Sequence, residues 1–322
     1  MSEYSALVSS QLCFVKWWRG ILCALLTGAV IVLTTAEARA EAEKCPRPQD
    51  EIATDRPDVT NSSVVVPFGS FQSENGINSG ARQIDGTNTR WRLGIAPCLE
   101  ILVDVPSYVA SVRAFGNSGW TDVAPAVKWQ ISPLPGKIDL SVTAGVFLPT
   151  GTAEIASRGA QPYLQFPWSW ELRDGWGLSG MLTEFFRPAE LNTTRITETT
   201  FVIEKKLSEK MSLFTEYVGD YPVGAGPSFA LNSGGLYHLT HNQQVDFHFA
   251  IGLNHNTPSY VVGVGYSFRI DGLFPRALLS SVHRKSARCT DRIVVMSDAP
   301  SLPCHSHFTI IFPVICGCRP QK

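Results

Sequence analysis

From Asn88 to Ile270 the chain repeats one pattern: a stretch alternating apolar with polar residues, a turn, then another such stretch. Side chains of a strand point to opposite faces with period two, so each stretch has one greasy and one wet face. In 137–148 the greasy face is Ile138, Leu140, Val142, Ala144, Val146 and Leu148; the other is Lys137, Asp139, Ser141, Thr143, Gly145 and Phe147. Strands of about ten residues, repeated many times, are the material of a membrane β-barrel.

Turn signals read against this alternation predict twelve strands, at 69–78, 88–96, 99–108, 120–131, 137–148, 160–172, 176–187, 194–206, 210–221, 226–238, 243–253 and 258–270. The number is even, as bacterial single-chain barrels require. Short connections such as Pro97-Cys98 and Arg173-Asp174-Gly175 alternate with longer, Gly- and Ser-rich ones such as 109–119 and 149–159. That asymmetry fits tight periplasmic turns against longer outer loops.

The expected lipid face includes Trp91, Leu93, Ile101, Val103, Val127, Trp129, Phe166, Phe247, Phe249, Val262 and Val264. The opposite phase carries charge and is expected to line the lumen through Arg90, Arg92, Asp104, Asp122, Lys128, Lys137, Asp139, Glu171, His238, Asp246 and His248. Acidic and basic positions are interspersed there, which argues for mutual pairing over a single-sign ion filter. Strands 176–187 and 194–206 resist a clean phase, with Glu184 and Lys205 awkward on either choice. A periplasmic β-sandwich or lipocalin-like barrel also alternates. Twelve long strands joined by tight turns favour the membrane barrel, since sandwich strands are usually shorter.

Lys16 and Arg19 precede an apolar run from Ile21 to Leu33, and Ala38-Arg39-Ala40 supplies a small-x-small cleavage pattern. This is the anatomy of a secretory signal peptide over 1–40; the run is too short for a spanning helix, which needs roughly 20 residues. Charged residues make up only 17% of the chain, below the usual fraction of about a quarter for soluble domains. The net charge of −1 points to no nucleic-acid partner. Of the cysteines, only Cys45 and Cys98 belong to the exported body before the tail. In an oxidising compartment they can pair, tying the N-terminal segment to a turn; otherwise they are two free thiols.

The chain resembles the family of outer-membrane transporters linked to the meta-cleavage pathway of phenol degradation, over roughly Ile52 to Arg269. The resemblance is carried by Ala53-Thr54-Asp55-Arg56-Pro57-Asp58, Val66-Pro67-Phe68-Gly69, Trp120-Thr121-Asp122-Val123 and Gly145-Val146-Phe147-Leu148-Pro149-Thr150-Gly151. It continues through Gly235-Leu236-Tyr237-His238-Leu239-Thr240, Gln244-Val245-Asp246 and Gly265-Tyr266-Ser267-Phe268-Arg269. It implies an outer-membrane barrel passing small, often aromatic or hydrophobic compounds.

Residues 41–68 form a periplasmic segment ahead of the barrel at 69–270. Asp55, Arg56 and Asp58, stiffened by Pro57, can tuck this segment into a polar lumen as a partial plug, or it can be a solvated linker. His238, His241, His248 and His255 with Ser233 and Asp246 invite a hydrolase reading, but neither a Gly-x-Ser-x-Gly elbow nor a His-Glu-x-x-His helix is present. From 271 to 322 alternation stops, and a disordered or artefactual tail is expected. Cys304-His305-Ser306-His307 and Cys316-Gly317-Cys318 there fit no standard zinc spacing.

The reading that follows is an all-β, transmembrane antiparallel up-and-down barrel acting as a passive channel, without catalytic residues, cofactor or metal. Its expected partners are outer-membrane lipid and a small hydrophobic or aromatic solute, and it is expected to be a monomer. A structural or adhesive barrel is the alternative, with a barrel hydrolase behind it.

Overall fold

Strands that are greasy on one face need a sheet whose edges are closed, because a free edge in hydrocarbon leaves backbone N–H and C=O groups unpaired. The computed structural model resolves this by closing the sheet on itself. It describes residues 45–81, 83–111, 116–131, 134–135, 137–157, 159–187 and 195–274. The expected signal peptide lies outside the described residues, as does the expected 271–322 tail beyond Phe274. Residues 271–274 instead pack on the barrel, with Leu273 N donating to Gly69 O at 2.8 Å and the Phe274 ring 5.5 Å from that of Phe68.

The strands run β1 (Phe71–Gly80), β2 (Gln83–Ala96), β3 (Leu99–Val105), β4 (Tyr108–Ser111), β5 (Gly119–Trp120), β6 (Ala124–Gln130) and β7 (Ile138–Phe147). They continue as β8 (Gln161–Glu171), β9 (Trp176–Phe186), β10 (Arg195–Lys206), β11 (Met211–Pro222), β12 (Ser228–Thr240), β13 (Gln243–Gly252) and β14 (Tyr260–Ile270). Neighbours pair antiparallel in chain order, and β1 pairs with both β14 and β2, which closes the barrel. β3 and β4 are two halves of one stave against β2, and β5 and β6 two halves of the next, so the wall has twelve staves.

The break after β3 falls at Pro106, which has no N–H to give a ladder. Ser107 bridges it, donating its N–H to Thr121 Oγ1 at 2.8 Å and accepting the Thr121 N–H at 2.9 Å. The β1–β2 hairpin runs further than expected, up to Gly80 and Gln83. Its tip, Gln83-Ile84-Asp85-Gly86, carries no apolar alternation. β2 is held there by its ladder with β4, where a lipid face is not required.

Large apolar side chains cover the outside. Trp91, Ile101, Trp129, Phe166, Phe247, Phe249, Val262 and Val264 are all exposed. Trp129, Trp170, Trp176, Tyr237 and Tyr266 lie toward the end with the tight turns, while Tyr108, Trp120, Phe186, Tyr221 and Tyr260 lie toward the other end. These are the two interfacial girdles of a membrane barrel. Glu184 and Lys205 both point outward at opposite ends of their hairpin. Glu184 pairs with Arg195 at 2.7 Å, and the Lys205 ammonium sits 4.8 Å from the centre of the Trp176 ring. Outward charge at the rims, not at mid-height, is why neither residue suited a face assignment.

Inside, polar groups are the buried ones: Arg92, Lys128, Glu74, Glu100, Glu216 and Thr183 are fully shielded. An apolar layer also faces inward, with Phe147, Tyr163 and Phe185 packed against Leu102 and Ala126. The three rings lie 5.2 to 6.3 Å apart between centroids.

Candidate functional site

Residues 45–67 belong to no strand or bridge, so their buried backbone groups must find acceptors and donors elsewhere. They find them on the inner wall, because the segment runs through the lumen. Its base is fixed at the turn end. Cys45 and Cys98 are bonded with Cα atoms 5.3 Å apart, and Ile52 N donates to His241 O at 2.7 Å. Arg269 on β14 donates to the carbonyls of Pro48 and Asp50 at 2.7 and 2.8 Å. The segment leaves toward β1 with Val65 N on Gln130 Oε1, Val66 N on Glu100 Oε2 and Phe68 bridged to Gly94. A Cβ at Gly94 would collide with the carbonyl of Pro67, so the close approach requires glycine.

Midway, Asp55 meets three cations from the wall. Its carboxylate accepts from Arg90 Nη1 at 2.9 Å and Lys128 Nζ at 2.9 Å, with Arg92 Nη1 at 3.3 Å. Ser62 N, from the segment itself, adds a fourth donor at 2.8 Å. Wall carboxylates hold those cations in turn: Arg90 grips Asp104 at 2.6 and 3.0 Å, Arg92 bridges Glu100 and Glu74 at 2.9 Å each, and Lys128 lies 3.3 Å from Glu100. Burial pushes the Asp55 carboxyl up, but Arg92, Lys128 and Arg90 together outweigh it and hold the group well below the usual carboxylate range.

Across the lumen the polarity reverses. Glu216 on β11, fully buried, accepts Val59 N at 2.9 Å, Thr60 N at 2.8 Å, Thr60 Oγ1 at 2.8 Å and Asn232 Nδ2 at 3.0 Å. Asn61 donates to Gln165 on β8 at 2.9 Å. Arg56 reaches β13, where Nη2 lies 3.3 Å from Asp246 Oδ1. Its guanidinium lies where a Cβ on Gly76 would sit. Asp58, half-buried beside Glu216, is pushed well above the usual carboxylate range by desolvation and by the neighbouring charge.

A cavity of about 390 Å³ adjoins this segment. Asp55, Arg56, Asp58 and Asn61 line it from the segment, Arg90 and Asp104 from one wall, and Val218, Ala230, Ala250 and Val261 from the other. His248 also lines it, its ring nitrogens 3.1 Å from Asn78 Oδ1 and Asn232 Oδ1.

The structure thus brings Asp55, Arg56, Asp58, Arg90, Arg92, Asp104, Lys128, Asp246 and His248 into one lumen. Asp139 is half-buried on the inward phase of β7, and His238 faces Glu51 at 3.8 Å near the turn end. Three positions correct the expectation. Lys137 and Glu171 are 71% and 72% exposed at the turn rim, where they pair with each other at 3.2 Å. Asp122 accepts the N–H groups of Thr150, Gly151 and Ser157, bracing the β7–β8 connection instead of lining the passage. Ser233 points outward to Thr215, away from inward-facing His248 and Asp246, so these do not form a hydrolytic triad. Among the described residues no group of His, Cys, Asp and Glu is arranged to hold a metal ion.

Glu74, Glu216, Asn61 and Thr60 escaped the sequence reading. β1 is polar on both faces (Gln72 and Glu74 against Ser73 and Asn75), which erases the phase that would have flagged Glu74. In β11 the inward parity of Glu216 is shared by Phe214, which masks it.

The fold is similar to that of an outer membrane channel from Pseudomonas putida F1, with a TM-score of 0.51 at 10% identity, covering 70% of this chain and 99% of that one. Weaker likenesses include the KdgM porin in complex with disordered oligogalacturonate (TM-score 0.44, 7% identity, 62% and 98% covered). Another is the CymD monoaromatic hydrocarbon channel (TM-score 0.38, 11% identity, 65% and 90% covered). No curated protein matches the chain. The family model described as "Putative MetA-pathway of phenol degradation" matches residues 54–270, from the lumen segment to the last residue of β14, and the chain belongs to that family.

Proposed function

We propose that this protein is an outer-membrane channel that lets small solutes cross passively, with residues 45–68 as a partial plug. The observation that carries this reading is the contrast between faces: an apolar, aromatic-girdled exterior around a lumen lined by charged and amide side chains. Such a wall excludes lipid from a polar path. The plug reading rests on Asp55, Arg56, Val59, Thr60 and Asn61, whose partners lie on staves around the lumen.

The family's link to phenol degradation supports small aromatic or hydrophobic compounds as solutes. Delivery by a cleaved signal peptide over 1–40 to the outer membrane of a Gram-negative cell, lipid contact around the barrel and a monomeric state belong to the same proposal. No bond chemistry is assigned: Asp55, Asp104, Glu74, Glu100 and Glu216 are held by wall cations or by the plug, and His248 lies between Asn78 and Asn232. Purified protein in planar bilayers tests the reading. Discrete conductance steps, reduced by phenolic compounds, are expected; a bilayer that stays silent at high protein load overturns it.

A further inference from the structure

Asp55 is the plug's contribution to a cluster that the barrel wall builds without it. Arg90 and Arg92 on β2 and Lys128 on β6 converge on its carboxylate at 2.9 to 3.3 Å. Each of these cations is also held by a carboxylate of the wall, Arg90 by Asp104, Arg92 by Glu74 and Glu100, and Lys128 by Glu100. These wall braces do not involve Asp55, so they persist when its carboxylate alone is removed; the segment's own contacts from Asn61, Ala53, Val64 and Ser62 add to them while it is docked. A preorganised, buried set of N–H donors is what a carboxylate binds most strongly. The deep depression of the Asp55 pKa indicates how far the cluster favours a carboxylate over a neutral acid.

Through Asp55 and Arg90 the cluster borders the cavity of about 390 Å³, a size in the range of small-ligand pockets, with Arg92 and Lys128 buried behind Asp55. On β11 to β14 it is lined by the short apolar side chains of Val218, Ala230, Ala250 and Val261, which leave room, with Asn232 and His248 beside them already hydrogen-bonded to each other. Charge on one side and short apolar side chains between hydrogen-bonded polar ones on the other describe a solute with an acidic head and a compact, mainly apolar body.

We propose that Arg90, Arg92 and Lys128 form a carboxylate-binding site in the lumen, that Asp55 occupies it when the plug is docked, and that the solute it takes is a small carboxylic acid with an apolar body. The side chain of Asp55 is then a built-in competitor, and a solute must displace it to pass. The proposal deepens the channel reading and rests on it for the passage of the solute, but the site itself can be measured by binding alone.

The test is calorimetric titration of the full-length protein in detergent with benzoate and with benzyl alcohol, its neutral counterpart. In Asp55→Ala the site is vacated, and benzoate should bind about tenfold or more tightly than benzyl alcohol, as expected for charge-assisted hydrogen bonds. Adding Lys128→Met should weaken benzoate by a similar factor, and the unaltered protein should bind benzoate about tenfold more weakly than Asp55→Ala. Should Asp55→Ala not fold, Asp55→Ser removes the carboxylate with a shorter polar side chain and vacates the site for the same titration. In the unaltered protein, saturating benzoate, but not benzyl alcohol, should also speed hydrogen exchange at the Ser62 N–H. Equal binding of the two probes, benzoate binding that survives Lys128→Met, or an unaltered protein that binds as tightly as Asp55→Ala overturns the proposal. A silent bilayer combined with selective benzoate binding removes the channel reading and leaves the site standing.

Discussion

Glu216 on β11 receives Thr60 twice, from its backbone N–H and from its hydroxyl, both at 2.8 Å. The contact spans a sequence separation of 156 residues and fastens the tip of the N-terminal segment to the wall opposite its cationic anchor. In Glu216→Ala the N–H groups of Val59 and Thr60 lose their acceptor, at a cost of about 2–3 kcal/mol. The thermal unfolding midpoint in detergent should fall, with Glu216→Gln intermediate because its amide oxygen still accepts. Bilayer conductance should rise in the same order.

Asp55 sets how the docked segment responds to acid. Its folded pKa lies below the unfolded value of about 3.9, so the ionised group stabilises docking. That contribution is complete above about pH 5 and is lost progressively as the pH falls toward the folded pKa. In an Asp58→Asn background, which removes the raised carboxyl of the same segment, exchange protection of the Ser62 N–H, which Asp55 accepts, should stay level from pH 8 to 5 after correction for intrinsic rates, and decline only in stronger acid. A decline centred near neutral pH would place control elsewhere.

The Cys45–Cys98 bond closes a loop with a sequence separation of 53 residues. The chain-entropy relation for a loop of that length gives about 4 kcal/mol. Replacing both cysteines by serine should leave the barrel strands paired but loosen residues 45–54. Limited proteolysis followed by mass spectrometry should show new cuts on the N-terminal side of Asp55, while circular dichroism keeps its strand signature.

Val264 sits mid-strand on β14 and is 58% exposed on the outer face. In a bilayer that exposure is to lipid. Val264→Arg should cost about 2–4 kcal/mol in lipid vesicles, measured by guanidinium unfolding. A neutral outcome in vesicles would contradict the assignment of this face to lipid.

Period-two alternation reports which face a residue occupies but not how high it sits, and this divides what was legible from what was not. Trp91, Phe247 and Val264 were assigned to lipid, and Arg92, Lys128 and Asp246 to the interior, because those strands carry clean phases in mid-membrane. Lys137 and Glu171 have the right parity but sit at the rim, where facing inward does not mean being enclosed. The early start of β2 was invisible for a related reason, since a hairpin tip beyond the bilayer needs no greasy face. The partners of Asp55 could be named as charges on the same phase, but their convergence could not. It depends on β2 and β6 flanking β3 in the closed sheet, a relation of topology with no local signature.

The outward charges of β10 act as a ruler. Arg195 at one end pairs with Glu184, and Lys205 at the other lies against Trp176. Their separation along the strand is about 33 Å at a rise of roughly 3.3 Å per residue. With a strand tilt of about 40°, that corresponds to about 25 Å of membrane height, matching the apolar band typical of such barrels. In a bilayer, sliding the barrel along its axis would bring one of these charges toward hydrocarbon, so the hairpin of β9 and β10 would favour one depth over its neighbours.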